Sequence, residues 1–150
     1  MRLVVQRVAR ASVREGDEML GEIGGGAMVL VGIASDDTPD VVDRMADKLL
    51  GLRYFRDTEG RTNLALADAG GALLVVSQFT LLADLRRGRR PGFTGAALPE
   101  VAVPLLDRFV SRLREAGAPV ETGRFGAEMA VELVNDGPFT LVIDSERDLA

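Results

Sequence analysis

Two short segments of this chain hold residues whose types and spacing suit chemistry: Ser77-Gln78-Phe79-Thr80 and Asn135-Asp136-Gly137-Pro138-Phe139-Thr140. The first follows a strongly apolar run, Leu73 to Val76, where polar residues begin. A strand end that borders a loop is a frequent home for a site, and it can leave backbone N–H groups free to hold a developing oxyanion. Taken alone, the same residues read as an ordinary strand terminus. Thr80 is a nucleophile only if a Lys, Asp, Glu or terminal amine activates it, and no such pairing shows in the sequence. The second segment interrupts two apolar runs, Met129 to Val134 and Leu141 to Ile143, that would otherwise read as one strand. Proline gives no ladder hydrogen bond, so Gly137-Pro138 breaks a good strand. Asn-Asp-Gly-Pro is strong turn chemistry, and a hairpin is the simplest reading. A broken local rule is also a common mark of function.

The chain contains no histidine and no cysteine. This removes Ser-His-Asp and Cys-His nucleophiles, disulfides, and histidine- or thiolate-bound metals. An enzyme built from these residues must work with carboxylates, lysine, backbone groups or atoms of its substrate. Neither a metal nor a cofactor is expected.

A net charge of −5 argues mildly against a general nucleic-acid surface, and no DNA partner is expected. The charge is uneven, because Arg86, Arg87, Arg89 and Arg90 fall within five residues. The run is either a solvated loop or a local phosphate contact suited to the arginine fork. No apolar run approaches the length of a membrane span, and charge arrives too early at the N-terminus for a signal peptide. The expected protein is soluble and cytoplasmic.

The elements that must position these residues follow from periodicity. Residues 2–9 have strand composition, and a hairpin is expected through Ala11-Ser12-Val13 and Glu18-Met19-Leu20. Gly24-Gly25-Gly26 marks a turn before a central strand from Ala27 to Ile33, and it lacks the lysine and hydroxyl of a phosphate loop. Thr38-Pro39 opens a helix over 39–51, with Val42, Met45, Ala46 and Leu49 on one face. Strands are expected over 52–56, 73–79, 120–125, 128–134 and 139–143, the last two as an antiparallel hairpin. A second helix is expected near 100–115, with Pro104 awkward inside it. The fold expected is mixed α/β: a curved, barrel-like mixed β-sheet with two covering helices, in a single domain over 1–150.

Ser77-Gln78-Phe79-Thr80-Leu81 and the Asn135 to Thr140 segment resemble the paired signature motifs of the D-aminoacyl-tRNA deacylases. Met1 to Val8, Gly21-Glu22-Ile23-Gly24, Gly60 to Leu64, Arg89-Arg90-Pro91, Phe93 and Gly123 through Met129 resemble the same family, so the likeness covers essentially the whole chain. The resemblance implies a homodimeric hydrolase that cleaves the ester joining a D-amino acid, or mischarged glycine, to the 3′ end of tRNA. It implies that Gly137 and Pro138, joined by a cis bond, enter the partner's active site and exclude L side chains. Ser77 to Thr80 would line the catalytic pocket, with backbone N–H groups of Phe79 and Thr80 as the oxyanion site. Phe125 and Met129 would hold the terminal adenine, and Arg7 would brace the Gly-Pro motif; core packing and a surface position are the plain readings of these three. A 2′-hydroxyl beside the ester would assist hydrolysis without a protein base. Phe139 stands where the family usually has a smaller β-branched residue, and Thr62 where methionine is common. Two other functions compete: a non-catalytic nucleic-acid-binding dimer, and an esterase with Thr80 as nucleophile.

Overall fold

The computed structural model describes residues 1–149. Its core is a six-stranded sheet built from β1 (Arg2–Glu15), β2 (Glu18–Ile23), β3 (Gly26–Gly32), β6 (Ala72–Ser77), β7 (Val120–Thr122) and β8 (Ala130–Asp144). The order is β2-β1-β3-β6-β7, with β8 pairing along the other side of β1. Strands β3, β6 and β7 run parallel, and β2, β3 and β8 run antiparallel to β1. The short strands β4 (Phe55–Arg56) and β5 (Thr62–Leu64) form a separate ribbon. The helices are α1 (Pro39–Gly51), α2 (Pro99–Glu115) and α3 (Ser145–Asp148). The mixed α/β, barrel-like architecture expected from the sequence is present, with a short third helix added.

The sheet separates two apolar clusters. On one side Leu3, Val5, Val29, Val31, Leu73 and Val75 meet the buried faces of α1 and α2. On the other, Val8, Ala11, Val13, Met28, Leu74 and Val76 fill the inside of the curl. Strands β3 and β6 are thus covered on both faces, which is why their sequences are continuously apolar rather than alternating. The curl brings β2 against β6 and β7: a Cβ added to Gly21 would lie 2.9 Å from the Thr122 carbonyl oxygen and 3.2 Å from Leu74. Glycine at 21 therefore permits the seam to close.

Strand β1 serves both clusters because it changes parity. Residues 3 and 5 face the helices, whereas 8, 11 and 13 face the curl. Pairing with β8 skips Ala9, between Val8↔Asn135 and Arg10↔Val134. One extra residue shifts a period-2 strand to the opposite face. The sequence suggested a break near residue 9; instead a bulge lets one 14-residue strand continue to Glu15.

Helix α1 begins as expected. Thr38 caps it, its hydroxyl accepting from the Val41 N–H at 3.3 Å, and Pro39 occupies the first turn. Helix α2 runs over Pro99–Glu115, close to the expected 100–115, with Pro104 inside it. Pro104 and Glu100 are both exposed, so water can satisfy the carbonyl that proline leaves unbonded. Two arginine forks join the helices: Arg108 to Asp43 at 2.8 and 2.7 Å, and Arg112 to Asp47 at 2.9 Å for both bonds.

Phe109 is fully buried between α2 and the sheet. Phe109→Ala should lower the unfolding free energy by about 3–5 kcal/mol, read as a shift in denaturant midpoint with an unchanged m-value.

Candidate active site

Strand β6 ends at Ser77, two residues earlier than expected, because the chain turns into a single 3-10 turn over Phe79–Leu82. The Gln78 N–H still donates to the Val31 carbonyl at 2.7 Å, and the Leu81 N–H donates back to Gln78 at 3.2 Å. Between them, the N–H groups of Phe79 and Thr80 have no acceptor among the described residues, as the opening groups of a helical turn normally do not. Gly32 of β3 lies beneath the turn. A Cβ there would sit 3.0 Å from Leu81 Cβ and 3.2 Å from the Gln78 carbonyl oxygen, and closer still to Leu82. From the other side Arg2 donates to the Leu81 carbonyl at 2.7 Å and to Asp144 of β8 at 2.8 Å. The turn is held at three points.

A cleft of about 380 Å³ opens beside it. Ser77 and Phe79 form part of its wall, Phe125 and Gly126 another part, and Phe93, Leu98 and Leu106 are among the other lining residues. Phe79 meets Phe93 edge-on with ring centroids 5.1 Å apart. The sequence pointed to Phe125 but not to the wall over 96–106, whose apolar residues read as loop and helix core. The available signal was excess: Leu98 and Val101 are more apolar residues than the buried face of α2 uses, and Leu98 is 71% exposed. Met129 does not line this cleft. It packs with the inner cluster beneath Gly123, and its sulfur accepts from the Arg124 N–H at 3.4 Å. The Thr80 hydroxyl accepts from the Gln78 amide, and among the described residues no lysine or carboxylate meets it.

The Gly137-Pro138 segment is not a hairpin turn. Residues 130–144 form one strand running a single way, antiparallel to β1 along its whole length. Four residues, Asp136 to Phe139, stand opposite Arg7 alone, between the pairs Gln6↔Thr140 and Val8↔Asn135. The excess chain is pushed out of the ladder, leaving Gly137 and Pro138 exposed, with the bond between them cis. Asn135 staples the base of this bulge. Its amide donates to the carbonyls of Arg7 (2.8 Å) and Phe139 (2.9 Å) and accepts from the Phe139 N–H (3.0 Å). Side-chain groups thus replace ladder bonds, and turn-forming residues need not reverse the chain.

Arg7 is 3% exposed, so its plain reading as a surface residue fails. Its guanidinium donates to the carbonyls of Asp136 (2.8 Å) and Tyr54 (2.7 Å), and it lies 4.6 Å from the centroid of the Phe139 ring. Burial, and then the nearby charge of Arg56, depress its pKa. Asp136 is held below the usual carboxylate range, first by the hydrogen bond from Arg56 at 2.8 Å and then by the two arginine charges. Tyr54 and Arg56 were not singled out from the sequence, because nothing local marks them.

Within one chain the bulge and the turn after β6 lie apart. Three strand spacings of about 4.8 Å and four residues of about 3.3 Å separate them, roughly 20 Å in all. Arg86 forks onto Asp84 at 2.9 and 2.8 Å, while Arg87, Arg89 and Arg90 are exposed in the following loop.

The depressed pKa of Asp136 fixes the sign of a pH effect. Its stabilising contribution is complete above the unfolded value near 3.9 and is lost as pH falls through the lower folded value. Asp136→Asn should therefore be less stable than the parent at pH 7, with the difference in thermal midpoint closing as pH drops below about 4.

Comparison with known proteins supplies the wider context. A family model described as D-Tyr-tRNA(Tyr) deacylase matches residues 4–144. A D-aminoacyl-tRNA deacylase of Symbiobacterium thermophilum is 57% identical over 147 residues, covering 98% of this chain and 97% of that protein. One of Chloroflexus aurantiacus is 57% identical over 145 residues, covering 97% and 91%. A solved structure of a c-Myc DNA unwinding element binding protein superposes with a TM-score of 0.91 at 39% identity, covering 96% of this chain and 98% of that one. The structure of a probable eukaryotic D-amino acid tRNA deacylase shares the fold, with a TM-score of 0.81, 22% identity and coverage of 95% and 97%. A model match over nearly the whole length, with relatives more than half identical, means that the chain belongs to the D-Tyr-tRNA(Tyr) deacylase family of hydrolases.

Proposed function

We propose that this protein hydrolyses the ester of D-aminoacyl-tRNA, and of glycine mischarged on tRNA, releasing the free amino acid and the tRNA. The observation that carries the reading is an apolar cleft beside two unbonded backbone N–H groups, those of Phe79 and Thr80. Such donors stabilise the oxyanion that forms when water adds to an ester carbonyl, a large catalytic term. The carbon–oxygen bond to the ribose 3′ oxygen then breaks, and the proton of the attacking water passes to that oxygen through the neighbouring 2′-hydroxyl. No protein base is required, which suits a chain without histidine. Phe125, 40% exposed at the cleft wall, offers a face on which the terminal base stacks. Met129 backs the segment that carries Phe125.

In this reading Gly137 and Pro138 reject L-amino acids by occupying the space of an L side chain, specificity by exclusion. They act on the site of a second copy. The separation of roughly 20 Å within one chain favours that arrangement. So does β8, whose outer edge is unpaired within the chain and which exposes Val131, Val134 and Val142. Arg7 fixes the base of the bulge through the Asp136 carbonyl.

A second reading, a nucleic-acid binder without catalysis, draws on the 39% identical protein named for binding a DNA element. Hydrolysis separates the two. D-Tyr-tRNA should be cleaved and L-Tyr-tRNA left intact; binding without turnover would favour the second reading, and equal cleavage of both would sink the chiral gate. Thr80→Ala should keep most of kcat, because the proposed donor is the backbone and among the described residues the hydroxyl has only Gln78 as partner; complete loss with the fold intact would restore the Thr80 nucleophile. Phe125→Ala should raise KM about tenfold, as expected for one lost base stack of roughly 1–3 kcal/mol.

A further inference from the structure

We infer that the loop 86–91 is a phosphate clamp for the single-stranded RNA that immediately precedes the nucleotide seated in the cleft, with Arg87, Arg89 and Arg90 as its contacts and Arg86 as a positioning residue. The inference rests on the tRNA reading of the cleft and adds where the chain of the RNA runs.

Charge partnership carries the argument. The protein has 18 lysines and arginines against 23 aspartates and glutamates. Most of the cations are consumed internally, on carboxylates or on backbone carbonyls. Among the described residues, Lys48, Arg10, Arg87, Arg89 and Arg90 have no hydrogen-bond or ion-pair partner. Three of these five therefore fall in four consecutive positions of one loop, in a protein that is otherwise acidic. Free arginines concentrated in this way attract a polyanion, and their forks fit phosphate oxygens.

The backbone that carries them is also tied down. Asp84 and Gly92 exchange both backbone hydrogen bonds, at 2.7 and 3.0 Å, closing its base. The Asp84 carboxylate takes the Arg86 N–H at 3.0 Å and both sides of the Arg86 guanidinium, so Arg86 is committed inside the loop. The next residue after the base is Phe93, which packs edge-on against Phe79 and lines the cleft. Arg90 lies three residues from that wall and Arg87 six, so at up to about 3.4 Å per residue their backbones lie at most about 10 and 20 Å from Phe93. A separation within that limit is spanned by the few nucleotides upstream of the terminal one. The cleft has no charged side chain on its wall, so base and phosphates are received by different surfaces.

The test compares two substrates, D-Tyr-tRNA and 3′-O-D-tyrosyl-adenosine, which lacks phosphates. The triple variant Arg87→Gln, Arg89→Gln, Arg90→Gln should raise KM for the tRNA about tenfold at low salt and leave kcat/KM for the adenosine ester unchanged. With about 0.7 per single-strand phosphate contact, its slope of log affinity against log salt should be shallower by about two. Between 50 and 200 mM salt the parent should therefore lose about twenty-fold more affinity than the variant. The corresponding triple lysine variant should keep the parent slope. An unchanged slope, or equal losses on both substrates, would overturn the clamp. Failure of the parent to cleave either ester would overturn the deacylase reading instead; the slope, read by anisotropy of labelled tRNA, is measured separately and still decides whether the loop binds RNA.

Discussion

A guanidinium removed from water must find acceptors, and among the described residues Arg7 is the one charged residue buried as a whole. Its demand organises three parts of the chain at once. Strand β1 supplies the arginine, the segment before β4 supplies the Tyr54 carbonyl, and the bulge of β8 supplies the Asp136 carbonyl and carboxylate. Removing a charge from water costs on the order of several kcal/mol unless geometry compensates, so these acceptors must be in place whenever the fold is. The bulge is thereby tied to the core, although Gly137 and Pro138 at its crest are exposed. An exposed feature gains the positional definition of a buried one.

Contacts from several strands likewise fix the turn over Phe79–Leu82. It sits at the end of β6, rests on Gly32 of β3, and is tethered by Arg2, which also holds Asp144 at the end of β8. Two strands that border the helices and one that borders solvent thus meet at the turn. Its unbonded N–H groups are a local exception to the rule that backbone donors are paired, and exceptions of that kind are affordable where the surroundings fix the geometry.

Much of this was legible in the sequence, and the limits of legibility have physical causes. Thr38-Pro39 and the spacing of Val42, Met45, Ala46 and Leu49 fix α1 because capping and helical periodicity are local properties. The continuous apolar runs of β3 and β6 correctly marked strands covered on both faces. Asn135-Asp136-Gly137-Pro138 misled as a turn because the deciding interaction is a side-chain staple to Arg7 across the sheet, which no local window contains. The length of β1 was underestimated for a related reason: the bulge at Ala9 reverses the alternation, so a single strand looks like two. Burial of Arg7 depends on Tyr54 and Asp136, 47 and 129 positions away, and a lone arginine in a strand gives no hint of either. The cleft wall from 96 to 106 was hidden by its own ordinariness, since apolar residues at the start of a helix read as core.

The double covering of β3 and β6 has a consequence for motion. Amides of strands paired on both edges and shielded on both faces open only with the largest unfolding units, whereas an exposed edge such as β8 opens through smaller fluctuations. Ser77 is the last residue of one of these strands, and Gly32 the last of the other. The turn that carries the proposed chemistry therefore stands at the end of the most protected strands, while the Gly137-Pro138 bulge stands on an exposed edge that opens through smaller fluctuations.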